Sequence, residues 1–170
     1  MKCDAAKFAG MYEGVYKDLY RFALCMMRNP QDAEDAVSEA VIQGYEHRAS
    51  LRREDAFKSW MFTILSRVCK KRLAAAAKKN EMNETEFFER AEGAEDRLEM
   101  NMDVRRAFAV LSEEEQMIVG LSVFGGYQSG EIGQMLKLKS GTVRSKRSRA
   151  LAKMSVILKP CSAGGQAEYY

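Results

Sequence analysis

The chain has 170 residues, 46% of them hydrophobic and 30% charged, and its formal net charge is +3 at pH 7. A chain of this size can bury one moderate hydrophobic core or two small ones, and two small ones fit this sequence better. No apolar run approaches the roughly 20 residues that span a bilayer, and the N-terminus MKCDAAKFAG lacks the apolar core of a signal peptide, so we expect a soluble, cytoplasmic protein.

Apolar residues recur at helical spacing along nearly the whole chain, which predicts an all-α protein. The first amphipathic helix is predicted to end before Asn29. A second helix is predicted to start there. Asn29 can accept hydrogen bonds as its N-cap, Pro30 suits the first helical position, and Asp32 lies near the positive end of the helix dipole.

The second helix has two faces. Small apolar residues form one stripe along it. A polar, mostly acidic stripe lies beside the first, and its members are Asp32, Asp35, Ser38, Glu39 and Gln43. Because these side chains do not contribute to the apolar face, we expect them to meet water or a protein partner.

The next segment, RASLRRED, has no apolar period and is predicted to be a loop. Asp55 is the predicted N-cap of a third helix, AFKSWMFTILSRVCKKRLAAAAKK. Six basic residues and no acid occur from Arg67 to Lys79. Away from its apolar face this helix carries the polar and basic residues Lys58, Ser59, Thr63, Arg67, Lys70 and Lys71.

Three aromatic residues, Phe57, Trp60 and Phe62, accompany these cations. A cationic groove with aromatic surfaces suits the unstacked bases of a single nucleic-acid strand. The alternative is that the aromatic rings are core residues. That alternative is the better interpretation of Phe57 and Phe62, whereas Trp60 fits both.

The composition changes after the third helix. Nine Asp or Glu residues and two Arg residues occur between Glu81 and Asp103, with few large apolar residues. This change predicts an acidic linker, residues 74–104, between two helical units, residues 1–73 and 105–160. Residues 161–170 are left as a C-terminal tail.

The second unit is predicted to begin with a helix at VRRAFAVL, followed by a helix in which Ser112 and Glu115 have the capping-box spacing. Two shorter helices follow, GEIGQML with Ser129 as its predicted cap and GTVRSKRSRALAKM with Ser140 as its cap. Gly133 would let the second of these cross the first closely. Such an arrangement is a helix-turn-helix, whose second helix enters the major groove of DNA.

The last helix is strongly basic, because seven Lys or Arg residues and no carboxylate occur from Lys137 to Lys153. The residues predicted to hold it to its unit are Val143, Ala150, Leu151 and Met154. The side chains left free to meet phosphates and base edges are Thr142, Arg144, Ser145, Lys146, Ser148 and Arg149. The alternative is a solvated charged face, but no acid interleaves to form i,i+4 pairs, so we favour DNA binding.

Little in the sequence indicates an enzyme. His47 is the only histidine, and no GxSxG, P-loop or HExxH motif occurs. The four cysteines lack CxxC spacing and are expected to be reduced thiols. We therefore expect no catalytic activity, cofactor, metal site or small-molecule substrate.

The segments LYRFALCMMRNPQDAEDAVSEAVIQGY and FKSWMFTILSRVCKKRL, followed by LSEEEQMIVGLSVFGGYQSGEIGQMLKLKSGTVRSKRSRALAKM, closely resemble the two conserved domains of extracytoplasmic-function (ECF) sigma factors of the sigma-70 family. The resemblance covers about residues 10–155 and rests on the order of the motifs, their spacing and the acidic linker. It implies a bacterial transcription initiation factor that is not itself an enzyme.

The resemblance also implies roles for the two units. The first would be region 2, which binds the β′ subunit of core RNA polymerase and the -10 element of promoter DNA. The second would be region 4, which contacts the β subunit and binds the -35 element. An anti-sigma factor would be a further partner.

The site residues follow from these roles. The polymerase contact would be made by Asp32, Asp35, Ser38, Glu39, Ile42 and Gln43. The -10 contact would be made by Leu51, Arg52, Arg53, Lys58, Trp60, Thr63, Arg67, Lys70 and Lys71. The -35 contact would be made by Lys139, Ser140, Thr142, Arg144, Ser145, Lys146, Ser148 and Arg149.

At several positions the sequence departs from the family pattern. Arg67 and Lys71 stand where Asn and Asp are usual, which favours a non-standard -10 sequence or weaker base discrimination. Lys137 stands in the helix-turn-helix turn, where a small residue or Gly is common. Arg147 stands where a core Leu is common, which favours a slightly rotated recognition helix.

The sequence is also compatible with two other functions. A two-domain helix-turn-helix regulator that acts without polymerase would explain the basic helix but not the acidic stripe. Copurification with core polymerase separates it from a sigma factor. A protein-interaction adaptor built of helical bundles would show no salt-dependent DNA binding.

Overall fold

The structure is a computed structural model that describes residues 3–79 and 102–158. Within these two ranges the chain forms seven α-helices and two 3-10 turns and no β-strand, which confirms the predicted all-α class. Most of the predicted linker and the whole predicted tail 161–170 lie outside the described residues. In the described ranges, the structure contains no helix with the length and apolar character needed to cross a membrane.

The N-terminal unit is a bundle of three helices that pack pairwise against one another. Their bounds are Ala5–Met27 for α1, Pro30–Glu46 for α2 and Phe57–Lys79 for α3, and the 3-10 turns Arg48–Ser50 and Glu54–Ala56 lie between α2 and α3. Helix α3 thus continues six residues past the expected start of the linker at residue 74.

Capping residues determine where α1 ends and where α2 begins. Arg28 ends α1 in the left-handed conformation, with φ of 61°. The Asn29 side chain then accepts hydrogen bonds from the backbone N–H groups of Gln31 and Asp32, and Pro30 begins α2, as predicted. The prediction for Asp55 was wrong, because this residue lies in the second 3-10 turn, where its carboxylate accepts hydrogen bonds from the Arg53 guanidinium.

The C-terminal unit contains the four remaining helices. Their bounds are Met102–Ala109 for α4, Glu113–Val123 for α5, Ser129–Leu136 for α6 and Ser140–Leu158 for α7. Helix α7 packs on α4, α5 and α6 and so forms the centre of this unit. The backbone N–H of Glu115 donates to the Ser112 hydroxyl at 3.2 Å, which confirms the predicted cap of α5.

Helices α6 and α7 form the predicted helix-turn-helix, but their local contacts differ from the prediction. Ser129 is a buried residue inside α6, and the Glu131 carboxylate accepts from the Gln128 N–H at that helix start. A Cβ on Gly133 would lie 2.5 Å from the carbonyl oxygen of Leu138. Because Gly133 has no side chain, the turn between α6 and α7 can pass close to α6 at this position.

The two units share one continuous cluster of buried apolar residues, rather than the two separate small cores that the sequence favoured. Phe22 of α1 lies against Gly120 of α5, where a Cβ would be 2.5 Å from its ring. Because glycine has no side chain, the two helices approach closely at this point and the cores merge.

Candidate protein and nucleic-acid interfaces

The polar stripe of α2 lies outside the buried apolar face of that helix. Its small apolar residues, Ala33, Ala36 and Ala40, are each at most 1% exposed and pack against the neighbouring helices. The predicted polymerase-contact residues lie on the remaining surface. Asp35, Ser38 and Ile42 are exposed, and Asp32, Glu39 and Gln43 are half-buried.

Glu39 is held by α3. Its Oε2 atom accepts a hydrogen bond of 2.8 Å from Nε of Arg72. The Nη2 atom of the same guanidinium lies 2.8 Å from that oxygen and completes an ion pair. The Glu39 Oε1 atom accepts from the Gln43 amide at 3.3 Å. Asp35 accepts only from Gln31 of its own helix, at 3.2 Å, among the contacts described for it. Asp35 is therefore the carboxylate of the stripe that a partner can reach most readily.

The predicted single-strand face on α3 is mostly accessible. Arg67, Lys70 and Lys71 are exposed, as are Arg52 and Arg53 in the preceding loop. Three residues of the predicted -10 set already have intramolecular partners. The Arg53 guanidinium donates to the Asp55 carboxylate. Lys58 pairs with Asp18 of α1 at 3.2 Å, and the Thr63 hydroxyl donates to the Ser59 carbonyl at 2.9 Å.

The aromatic residues of α3 divide between core and surface. Phe57 and Phe62 are 3% and 0% exposed and belong to the core, as the preferred interpretation had it. Trp60 is half-buried, with its ring 6.1 Å from that of Phe57 and tilted by 43°. Phe57 therefore supports one side of the indole while part of it stays accessible.

Leu51 corrects the predicted -10 set. Its side chain is only 3% exposed and packs in the core, because the 3-10 turn Arg48–Ser50 directs it inward at the end of that turn. It therefore has no surface with which to contact DNA, and its position supports the loop that carries Arg52 and Arg53.

The basic helix α7 is anchored by Val143, Ala150 and Met154, which are buried. Leu151 was wrongly included among the anchors, since it is 46% exposed. The predicted -35 residues crowd the N-terminal half of the helix. Lys139, Ser140, Arg144, Ser145, Ser148 and Arg149 are exposed, whereas Thr142 and Lys146 are half-buried.

Two lysines of α7 are paired with the first turn of α5. Lys146 lies 2.5 Å from a carboxylate oxygen of Glu114, and Lys153 lies 2.8 Å from one of Glu115. The hydrogen bond from Lys153, together with the one from Ser112, lowers the pKa of Glu115 below its usual value. Arg144 and Arg149 in the N-terminal half of α7, and Lys139 just before the helix, are exposed and form no ion pair among the described contacts, whereas Arg147 is half-buried.

The described residues also limit other chemistry. They contain no group of three or more His, Cys, Asp or Glu residues that could hold a metal ion. Burial raises the pKa of the Cys25 and Cys69 thiols to about 12, so these two thiols remain protonated and weakly nucleophilic at neutral pH.

Comparison with known proteins relates this architecture to a family. Residues 11–79 match the family described as Sigma-70 region 2, and residues 101–154 match Sigma-70, region 4. The chain is 28% identical over 158 residues to the ECF RNA polymerase sigma factor SigM of Mycobacterium tuberculosis, covering 91% of this chain and 79% of that protein. It is 27% identical over 142 residues to the RNA polymerase sigma factor SigV of Bacillus subtilis, covering 84% and 85%.

The chain is a sigma factor. It belongs to the ECF group of the sigma-70 family, and so it is a transcription initiation factor that binds core RNA polymerase and promoter DNA. The N-terminal bundle is region 2 and the helix-turn-helix unit is region 4. The family is one of transcription factors without catalytic activity.

A solved structure has the same fold as this sigma factor. It is the sigma factor RpoE of Bartonella quintana in complex with the anti-sigma factor NepR, with a TM-score of 0.72 and 19% identity. The match covers 89% of this chain and 96% of that one. The fold of both regions is therefore shared.

One feature of the sigma factor was not predicted. A cleft of 540 Å³ separates α3 from α6, and its α3 wall carries Lys58, Thr63 and Arg67 of the -10 set. The facing wall is formed by residues of region 4, namely Tyr127, Glu131, Gln134, Met135 and Lys137. Sequence spacing gave no signal for it, since the residues of the two walls are at least 60 positions apart in the chain.

Proposed function

We propose that this sigma factor binds core polymerase through the exposed stripe of α2, holds the opened -10 strand on α3 and reads the -35 element with α7. We further propose that region 2 extends to Lys79, that residues 80–101 form the linker and that region 4 begins at α4. The observation that carries the proposal is the separation of three surfaces of different chemistry. One is acidic, one is basic and aromatic, and one is a basic recognition helix.

The α2 stripe suits a protein partner. Asp35 and Ser38 are exposed beside Ile42, whose side chain is 59% exposed. An apolar side chain flanked by carboxylates fits a basic protein surface better than it fits nucleic acid, which would repel the acids. We assign this stripe to the polymerase.

The α3 surface suits a single strand. Arg67 and Lys70 are exposed cations on the same face one turn apart, and they can hold phosphates. Trp60, backed by Phe57, offers a partly exposed ring on which a base can stack. Arg52 and Arg53, on the loop before α3, extend the basic surface.

The exposed start of α7 suits duplex DNA. In a helix-turn-helix the N-terminal residues of the second helix meet the base edges. Arg144 and Ser145 occupy that part of α7 and are exposed. Arginine can form two hydrogen bonds with guanine, so Arg144 is the leading candidate for base recognition.

Three further properties belong to the same proposal. The chain has no catalytic activity of its own, it acts in the cytoplasm beside the polymerase, and an anti-sigma factor holds it inactive. The structural neighbour was determined in complex with an anti-sigma factor, which supports the last of these.

Run-off transcription tests the proposal directly. The full chain would be combined with core RNA polymerase and a library of promoter templates. Specific transcripts that depend on the chain are expected, with a common -35 and -10 sequence upstream of their starts. DNA binding without any polymerase-dependent transcript would favour a helix-turn-helix regulator instead.

A further inference from the structure

The first turn of α5 places two carboxylates against α7. The Glu114 carboxylate accepts a hydrogen bond from the Lys146 ammonium group at 2.5 Å. The Glu115 carboxylate accepts from Lys153 through both of its oxygens, at 2.8 and 3.2 Å. The Ser112 hydroxyl donates to Glu115 at 3.1 Å and helps to fix its side chain. Two lysines of the basic helix are therefore already paired with acids of the same protein.

These ion pairs line a small cavity between α5 and α7. Its volume is 260 Å³, and Arg149 lines it together with Ser112 and the four paired residues. Lys146, Arg149 and Lys153 follow one another at spacings of three and four residues, so they lie on one face of α7. The hydrogen bond from Lys153 is the main cause of the lowered pKa of Glu115, and the charge of Arg149 lowers it further. The carboxylates thus act on a whole row of cations.

The residues assigned to base recognition lie on a different face of α7. Arg144, Ser145 and Ser148 are exposed, and no described hydrogen bond or ion pair joins them to α5. Arg144 precedes Lys146 by two residues, and side chains two positions apart do not share a face of a helix. When Arg144 points toward the base edges, Lys146 therefore points elsewhere.

Pairing with an acid changes how a lysine contributes to DNA binding. Each phosphate that a cation neutralises steepens by about 0.9 the fall of the logarithm of the binding constant with the logarithm of the salt concentration, whatever the base sequence. A lysine beside a carboxylate contributes less, because the acid repels phosphates and the lysine must first leave its partner. The side chains of Glu114 and Lys153 are 43% and 52% exposed. Pairs this exposed add little to stability, so their larger effect is on the charge that DNA meets.

We propose that Glu114 and Glu115 are specificity-determining residues, which keep Lys146 and Lys153 from DNA phosphates and so make binding depend on the base-reading face of α7. The proposal rests on the assignment of α7 to the -35 element. Lys146 was predicted to contact that element, and here it stays with Glu114 in the complex.

The two carboxylates weaken non-specific binding more than specific binding. On the -35 duplex, contacts with base edges fix the orientation of α7, so a freed lysine on the α5 side gains few phosphate contacts. On an unrelated duplex no base contact fixes the helix, and it can turn until a freed lysine meets a phosphate. Removing the acids therefore lowers the ratio of the two affinities.

The test compares full-length Glu114→Gln, Glu115→Gln and the variant with both changes with the wild type. Glu113→Gln is the matched control. Glu113 lies in the same turn of α5, is exposed and has no ion pair among the described contacts, so its replacement makes the same change of charge without freeing a lysine. Circular dichroism and urea denaturation check that each variant is folded.

Fluorescence anisotropy at several salt concentrations measures the affinity for two duplexes. One carries the -35 element selected by transcription, and the other has the same bases in scrambled order. On the scrambled duplex we expect Glu114→Gln and Glu115→Gln each to steepen the salt dependence by about 0.9 and to bind roughly eightfold more tightly at about 0.1 M salt. The gain on the -35 duplex should be smaller. Glu113→Gln should change neither the salt dependence nor the ratio of affinities.

A second substitution shows whether the effect acts through the paired lysine. Adding Lys146→Gln to Glu114→Gln should return the salt dependence on the scrambled duplex to that of the wild type. If the steeper dependence persists in this double variant, Lys146 is not the cation that Glu114 withholds, and the proposal is wrong for this pair.

Three other results would overturn the proposal. Unchanged salt dependence in Glu114→Gln and Glu115→Gln would leave the pairs as contacts between helices only. Equal gains on both duplexes would contradict the role in specificity. The same change in Glu113→Gln would make the overall charge of α5 responsible instead of the pairs.

Failure of the proposed function gives a different result. Equal affinities of the wild type for the two duplexes would mean that α7 does not read the -35 element, and the role in specificity would fall with that assignment. The salt dependence on the scrambled duplex would still decide whether the two carboxylates keep the lysines from phosphates.

Discussion

The Arg72 guanidinium of α3 donates a hydrogen bond of 2.8 Å from Nε to the Glu39 carboxylate of α2 and forms an ion pair with the same oxygen through Nη2, also at 2.8 Å. The pair makes Glu39 part of the contact between these helices, although it belongs to the exposed stripe. In the proposed polymerase interface, Glu39 would therefore serve both stability and binding. Asp35, which pairs with neither α1 nor α3 among its described contacts, would serve binding alone.

Asp35→Arg should strongly weaken binding to core polymerase and leave the free energy of unfolding nearly unchanged, because Asp35 is exposed. Glu39→Gln should lower the free energy of unfolding by roughly 0.5–1 kcal/mol, as for a partly exposed ion pair. Copurification with core and urea denaturation measure the two effects. Glu13→Arg, which reverses an exposed acid on α1, is the matched control. Core binding unaffected by Asp35→Arg would remove the α2 stripe from the interface.

Lys137 has a backbone conformation that favours glycine, with φ of 58° at the end of α6. Lys137→Gly should raise the free energy of unfolding by roughly 0.5–1 kcal/mol, because the left-handed conformation is costly for a residue with a Cβ. Urea denaturation followed by circular dichroism measures it. Lys139→Gly, two residues further on and without a positive φ, should not stabilise. A loss of stability in Lys137→Gly would contradict this explanation of the turn.

The cations of α7 should divide by role. Replacing Arg144 with Ala should cost about 1–3 kcal/mol in binding and relax the preference at one base position. Lys139→Ala should weaken binding to all sequences alike. It should also lower by roughly one the salt slope, which is the steepness with which the logarithm of the binding constant falls with the logarithm of the salt concentration. Lys153→Ala should change the slope less, because Lys153 is paired with Glu115.

These effects would be measured with the full chain and -35 duplexes carrying single-base changes, at several salt concentrations. Equal affinity for every duplex, in wild type and variants alike, would mean that α7 holds DNA without reading it.

Glu115 links stability to pH. Its pKa is lowered in the folded protein, chiefly by the hydrogen bond from Lys153. Its contribution to stability is therefore present above the pKa of the unfolded chain and is lost as the pH falls through the folded pKa. We expect wild type to lose more stability than Glu115→Gln between about pH 5 and pH 3. Parallel losses in urea denaturation at these pH values would contradict the assigned contact.

Features set by neighbouring residues could be predicted from the sequence. The start of α2 is one example, since Asn29 and Pro30 act on the turn that contains them. The Ser112 cap and the anchoring of α7 by Val143 are others. The helical spacing of the basic residues also predicted which cations of α3 and α7 are exposed.

Features that depend on distant parts of the chain could not be predicted. The pairing of Lys146 with Glu114 requires α5 to pack beside α7. The i,i+4 spacing of charges in the sequence predicts only pairs within one helix, so it does not predict this one. Leu51 lies in a segment predicted to be a loop, but the 3-10 turns on either side of it place its side chain in the core. The packing of Phe22 on Gly120 joins residues 98 positions apart. A glycine within a helical sequence does not indicate which residue packs against it.

Permanganate reactivity of thymines, in a complex of core polymerase, promoter and sigma factor, tests most directly whether α3 holds the opened strand while α7 holds the -35 duplex. With wild type, thymines near -10 should be unpaired and reactive. With Trp60→Ala combined with Arg67→Ala, that reactivity should be lost while nuclease protection of the -35 element persists. If the double variant opens the -10 element as well as wild type does, α3 is not the surface that holds the strand.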